Sequence, residues 1–276
     1  MFPVEHFKFP FKRITSQENE FFKWLKSLFT PKKRKKTDFF VTEGFKVLKD
    51  YFLYGKYHSI EWLIFNEKVL NTKKAKELVS FAQKFSVKLI ILSSKLYEKL
   101  VPLESPQGVL GVFKVENFTY DSLNYENPVL ILDSVQEPSN VGAILRCAVA
   151  AGASAVFYLK GTADPFSFKA VKASCGGIFS IPVLEIRSPK EVIEFLKSKN
   201  YTTVATEVKA NTSIFQERLS LKTALIIGSE GRGISKEVLK LVDKRIKLPL
   251  FGDVESLNVA VATGIFLYFL RFFNGK

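Results

Sequence analysis

Short apolar runs with the character of strands alternate with runs of helical spacing along nearly the whole chain. That alternation limits the fold more than any other feature. In the second half, PVLILDSV (128–135), SAVFYL (154–159), YTTVATEV (201–208) and TALIIGSE (223–230) read as strands. SNVGAILRCAVAAG (139–152), KEVIEFLKSKN (190–200), SKEVLKLV (235–242) and the closing LNVAVATGIFLYFLRFF (257–273) read as helices. Strands separated by helices pair in parallel, so an α/β domain with a mostly parallel sheet covered on both faces is expected. Ligands of such sheets gather at the carboxyl ends of the strands.

The first half alternates in the same way. QENEFFKWLKSLF (17–29), FKVLKDYFLYG (45–55, closed by Gly55) and KKAKELVSFAQKF (73–85) have helical spacing, while FFVTE (39–43), EWLIF (61–65), VKLIIL (87–92) and GVLGVFKV (108–115) read as strands. A chain of 276 residues suggests two domains. They are placed at 1–118 and 128–276, with the polar segment 119–127 as linker.

Composition narrows the class. Charged residues make up 25% and hydrophobic residues 47%, a globular balance rather than a disordered one. The formal net charge is +14, split as +8 over 1–127 (22 Lys+Arg, 14 Asp+Glu) and +6 over 128–276 (19 and 13), so a polyanionic partner is expected to meet both halves. KKRKK (32–36) is either a solvated loop or a phosphate-contacting segment. Two cysteines, Cys147 and Cys175, lack metal-ligand spacing, which argues against zinc and a disulfide framework and fits a reducing, cytoplasmic setting. The opening MFPVEHFKFPFKR has no uninterrupted apolar stretch, so no signal peptide is expected. The run 257–273 is too short to span a bilayer and carries Asn258 and Arg271, so a buried core or interface helix is expected.

Three segments hold the residues that are hardest to explain by folding alone. In DSVQEPSNVGAILR (133–146), Asn140 reads as a helix N-cap, Gly142 permits a close approach to the first turn, and Arg146 lies inside the helix. An ordinary capped helix with a surface arginine reads the same way. In LIIGSEGRGIS (225–235), glycines at 228, 231 and 233 let backbone groups face a ligand. The loop fits neither the dinucleotide fingerprint nor the phosphate loop, and Glu230 would repel phosphate, so it suits a ligand with positive charge or hydroxyls. In KLPLFGDVESLNVAVATG (247–264), Ser256 or Asn258 stands at the entry of the apolar helix, Ser256 being the plain N-cap candidate. The only histidines, His6 and His58, fall in the first half, which excludes histidine-based triads and metal sites from the second. Cys147 reads as packing.

Asn140, Gly142 and Arg146, then Gly228, Glu230 and Gly233, then Ser256, Leu257 and Asn258 resemble the three ordered motifs of SpoU/TrmH-type RNA 2′-O-ribose methyltransferases of the SPOUT superfamily. VTEGFKVLKD (41–50) and SPQGVLGV (105–112) are similar to that family's N-terminal RNA-binding domain, a small α/β fold shared with some ribosomal proteins. Glu137 stands where the family often has aspartate, Phe251 where methionine is common and Ala260 where serine is common. The resemblance implies a C-terminal trefoil knot, S-adenosylmethionine as cofactor, and a homodimer packed through the knotted domains. It implies a cofactor set of Gly228, Leu248 and Leu257, read mainly through backbone, with Thr206, Glu207 and Ile227. It implies Arg146, Asn140, Glu230, Ser256 and Asn258 as catalytic residues, no metal, and RNA as partner, ribosomal in preference to transfer RNA. Two rivals explain less. A non-enzymatic RNA-binding protein leaves Glu230 and the three motifs without purpose, and a nucleotide-dependent oxidoreductase lacks its phosphate fingerprint.

Overall fold

The structure, a computed structural model, describes residues 11–273; the opening MFPVEHFKFP, with His6, lies outside the described residues. The chain forms two compact units. The first runs to Glu116 and includes Phe166–Phe168; the second takes Asn117–Pro165 and the chain from Lys169 onward.

The first unit contains β1 (Phe11–Ile14), α1 (Glu20–Ser27), α2 (Pro31–Arg34), β2 (Phe39–Glu43), α3 (Phe45–Tyr54), β3 (Ser59–Asn66), α4 (Lys73–Lys84), β4 (Lys88–Leu92), α5 (Ser94–Leu100) and β5 (Val109–Lys114). Its sheet has the order β1-β4-β3-β5-β2, with β1, β4 and β3 parallel and β5 antiparallel to both neighbours. Apolar residues of the sheet such as Ile64, Ile90 and Leu110 bury against Leu25 of α1 and Tyr97 of α5. Of these elements β1 and α5 carry too weak a pattern to be expected; β1 buries only Ile14. The KKRKK run is not simply a loop. Pro31 opens the short helix α2, turning Arg34 inward at 6% exposure and leaving Lys32, Lys33, Lys35 and Lys36 exposed.

The second unit contains β6 (Val129–Asp133), α6 (Pro138–Ala150), β7 (Ala155–Leu159), α7 (Phe168–Ala173, its first residue counted with the first unit), β8 (Val183–Ile186), α8 (Pro189–Ser198), β9 (Thr202–Thr206), β10 (Thr212–Ser213), β11 (Thr223–Gly228), α9 (Lys236–Leu239), β12 (Lys244–Lys247) and α10 (Val259–Phe272). The sheet order is β10-β12-β9-β11-β6-β7-β8, and every neighbouring pair is parallel. Val129, Ile131, Phe157 and Ile226 are fully buried or nearly so, as expected of strands covered on both faces. Helix α9 is a single turn and α10 starts at Val259, two residues later than its apolar run, because Asn258 caps it.

The polar segment 119–127 does not behave as a free linker. Tyr120, Leu123 and Tyr125 pack onto the second unit's core, and the Tyr201 hydroxyl donates to the Asn127 carbonyl at 2.6 Å. The tyrosine spacing was hidden among turn formers, and the unit boundary falls at 116/117 instead. Among the described residues no helix is long and apolar enough to cross a membrane.

Candidate active site

Helix α6 starts one turn earlier than the asparagine suggests. Pro138 occupies its first turn, where a fixed φ and missing N–H are harmless, and Glu137 caps it by accepting from the Ser139 N–H at 3.1 Å. Asn140 is therefore not the N-cap; its side chain is released for other contacts. At the start of α10 the cap is Asn258 rather than Ser256: its Oδ1 accepts from the N–H groups of Ala260 (3.0 Å) and Val261 (3.3 Å).

These two corrections bring the three motifs together. With Asn258 Oδ1 occupied by the helix, its Nδ2 faces outward and donates to Asn140 Oδ1 at 3.0 Å. Asn140 Nδ2 in turn donates to Glu230 Oε1. The result is a line, Asn258 to Asn140 to Glu230, that ties the first turn of α6 to the loops after β11 and β12 at the carboxyl end of the sheet. The backbone donors of α10 settle which way both amides point.

The glycines divide by role. A Cβ on Gly142 would stand 2.2 Å from the Ala170 carbonyl oxygen, so the close approach made possible there is by the chain's own α7 and not by a ligand. Gly228 is likewise covered by the backbone of Gly233 and Ile234, where the loop turns back through paired Ser229–Gly233 hydrogen bonds of 2.9 and 3.1 Å. Gly233 takes a left-handed φ of +67°, and Gly231 and Gly233 have open space beside them.

Thr206, Ile227 and Gly228 lie at the ends of the adjacent strands β9 and β11, and Leu248 follows β12 on the other side of β9. Thr206 Oγ1 donates to the Ile226 carbonyl at 3.0 Å, locking the first two ends together, and the Glu207 N–H donates to the Ile246 carbonyl at 2.9 Å. Ile227 itself is buried, whereas Leu257 is exposed.

The family model described as the SpoU rRNA Methylase family matches residues 127–268. The chain belongs to this SpoU family. An MRM3-like substrate binding domain model matches residues 19–111. Among relatives, the chain is 31% identical over 262 residues to the Bacillus subtilis 23S rRNA (guanosine(2553)-2′-O)-methyltransferase RlmP, covering 94% of this chain and 99% of that one. It is 36% identical over 140 residues to the Escherichia coli K12 23S rRNA (guanosine-2′-O-)-methyltransferase RlmB, covering 51% and 58% respectively. The structure of an AdoMet-bound rRNA methyltransferase from Sinorhizobium meliloti superposes with a TM-score of 0.83 at 26% identity, over 96% of this chain and 99% of that one.

Within this SpoU-family site, not every expected residue joins the line. Arg146 is exposed on α6 and, among the described residues, has no carboxylate partner; its Nη1 lies 3.6 Å from Cys175 Sγ. Ser256 is exposed and makes no hydrogen bond among the described residues. Cys147 packs beneath the site, its thiol pushed up by burial and directed at the Ala260 carbonyl at 3.7 Å. Two residues escaped the pattern reading. Asp133 is a buried carboxylate that accepts from the Ser235 N–H at 2.8 Å, holding the end of the glycine loop to β6; an acid closing an apolar strand was the available signal. Cys175, at φ +48°, sits in a turn without periodicity and offered none. Among the described residues, no group of three or more His, Cys, Asp or Glu is placed to hold a metal.

Proposed function

We propose that this chain transfers a methyl group from S-adenosylmethionine to a ribose 2′-hydroxyl of ribosomal RNA. The observation that carries the reading is the Asn258–Asn140–Glu230 line, which unites three distant segments at the carboxyl end of a parallel sheet in a member of the SpoU family. The names of RlmP and RlmB, both acting on 23S ribosomal RNA, favour ribosomal over transfer RNA. A cytoplasmic setting belongs to the same proposal, in keeping with bacterial relatives named for 23S ribosomal RNA.

The cofactor fits the ends of β9, β11 and β12. Half-buried Gly228 and Leu248 with exposed Leu257 offer apolar surface and backbone, and Glu207 offers a carboxylate near a cationic ligand. Thr206, Glu207, Ile227, Gly228, Leu248 and Leu257 would hold it. Bound S-adenosylmethionine supplies a methyl already activated by its sulfonium charge, leaving alignment and proton removal to the protein. Arg146 grips an RNA phosphate or the ribose, a role suited to an exposed guanidinium with no acid beside it among the described residues. It acts as an anchor, since a guanidinium stays protonated in proteins. Glu230, oriented by Asn140 and Asn258, accepts hydrogen bonds from ribose hydroxyls, with Ser256 joining when RNA is present.

Two features of assembly belong to the same proposal. The C-terminal unit carries a trefoil knot, consistent with β12 lying between β10 and β9 and with α10 returning to α6. It pairs as a homodimer through α10, which buries Phe266, Leu267 and Leu270 on one side and exposes Val261, Ile265, Tyr268 and Phe272 on the other. Ile265→Glu should yield monomer by sedimentation, and a species of unchanged mass would remove α10 from the interface.

The function is tested with ribosomal RNA bearing 2′-deoxyribose at the target nucleotide. It should bind yet accept no methyl; undiminished methylation would move the chemistry to a base. Offering transfer RNA and protein-free ribosomal RNA side by side tests the substrate class, and label in transfer RNA alone would overturn the ribosomal assignment.

A further inference from the structure

One end of the five-stranded sheet carries a feature the methyl-transfer site does not use. Phe39 of β2 lies directly across from Lys114 of β5, and Trp62 of β3 beside Lys88 of β4. Trp62 is also opposite Val112, two positions before Lys114, so alternation puts both aromatic residues and both lysines on one face. Helix α1 lays Phe21 and Trp24 against them. The Trp24 ring centroid is 5.3 Å from Trp62 and 5.4 Å from Phe39, and Phe21 is 5.3 Å from Trp24. The Lys88 ammonium stands over Trp62, 5.1 Å from its centroid. All four rings are only part-buried, and Lys88 and Lys114 are exposed.

Part-buried rings, tilted against one another at 48–81° and bordered by cations, complement a strand of unpaired nucleotides, whose bases pack on exposed ring surface while its phosphates meet lysines. We propose that this face of the first unit grips unpaired nucleotides of the RNA substrate. The proposal rests on the RNA reading above and names the surface and the form of RNA it takes.

Trp24 and Trp62 are the only tryptophans in the chain, so their emission reports this face without a label. The full-length protein is titrated with a short oligoadenylate and with an RNA duplex of matched length. The single strand should quench the emission saturably and the duplex should not. Trp62→Leu should weaken single-strand binding about tenfold, while Trp62→Phe, which keeps a ring, stays within about twofold. Lys88→Glu combined with Lys114→Glu alters only exposed side chains and should weaken binding with a shallower salt dependence. Binding that leaves the emission unchanged, or that ignores the lysine pair, would overturn the proposal. Cofactor binding by calorimetry is followed in parallel: its absence in the unaltered protein counts against the methyl-transfer reading and leaves the quenching result to decide this one.

Discussion

Asn258 Nδ2 donates to Asn140 Oδ1 at 3.0 Å across 118 residues of sequence, and that contact joins the cap of α10 to the first turn of α6. Because Asn140 then has only its Nδ2 to offer Glu230, the three residues act as one unit. Asn140→Ala and Asn258→Ala should each lower methyl transfer by tenfold or more, and the double variant should fall little further. Additive losses in the double-mutant cycle would show that the two side chains act independently. Asn258→Ala should also lower stability by about 1 kcal/mol through its lost cap.

Arg146 stands apart from that unit, exposed and without an acid beside it among the described residues. Arg146→Ala should abolish methyl transfer and leave cofactor affinity within a few-fold, measured by calorimetry and tritium transfer. Activity within tenfold of the unaltered protein would remove the assignment.

The basic run can be tested without touching its buried member. Replacing Lys32, Lys33 and Lys35 by Gln should weaken RNA binding and make the slope of log K against log salt shallower by about 0.7 per lost contact to single-stranded RNA. An unchanged slope would return the run to solvated surface. Arg34 is left out, since at 6% exposure its loss would perturb the fold.

Gly142→Ala forces a methyl group to within 2.2 Å of the Ala170 carbonyl oxygen. Overpacking of this kind costs about 1–3 kcal/mol and should show as a lower urea midpoint. Gly231→Ala, which meets nothing within 4 Å, serves as the comparison and should stay within about 0.5 kcal/mol.

Glu137 supplies an acid limb to stability. Its hydrogen bond from Lys169, then that from the Ser139 N–H, hold the carboxyl down at about 2, below the ordinary 4.5. A depressed carboxyl contributes fully above its unfolded value, so the contribution is present above about 4.5 and is lost as the pH falls towards 2. Glu137→Gln should flatten the stability profile over that interval, and a profile that keeps its slope would assign the acid limb to other groups.

The alternation of β-branched runs with helical spacing determined, from sequence alone, the α/β character of both halves, because a strand buried on both faces must be apolar throughout. FFVTE matches β2 residue for residue. The three motifs were legible as well, since asparagine, glycine and an isolated glutamate have little reason to interrupt such a pattern. What the pattern lacked was decided by packing. β1 gains its order by pairing with β4, a contact more than 70 residues away, and Tyr120 and Tyr125 dock by burying rings that local composition assigned to a linker. The cap positions also belong to the tertiary structure. Serine, asparagine and glutamate all cap helices well, and Pro138 and the backbone of α10 chose Glu137 and Asn258 among them. That choice released Asn140 from the helix and turned it toward Glu230, a relation between residues 90 positions apart that only the folded chain brings into reach.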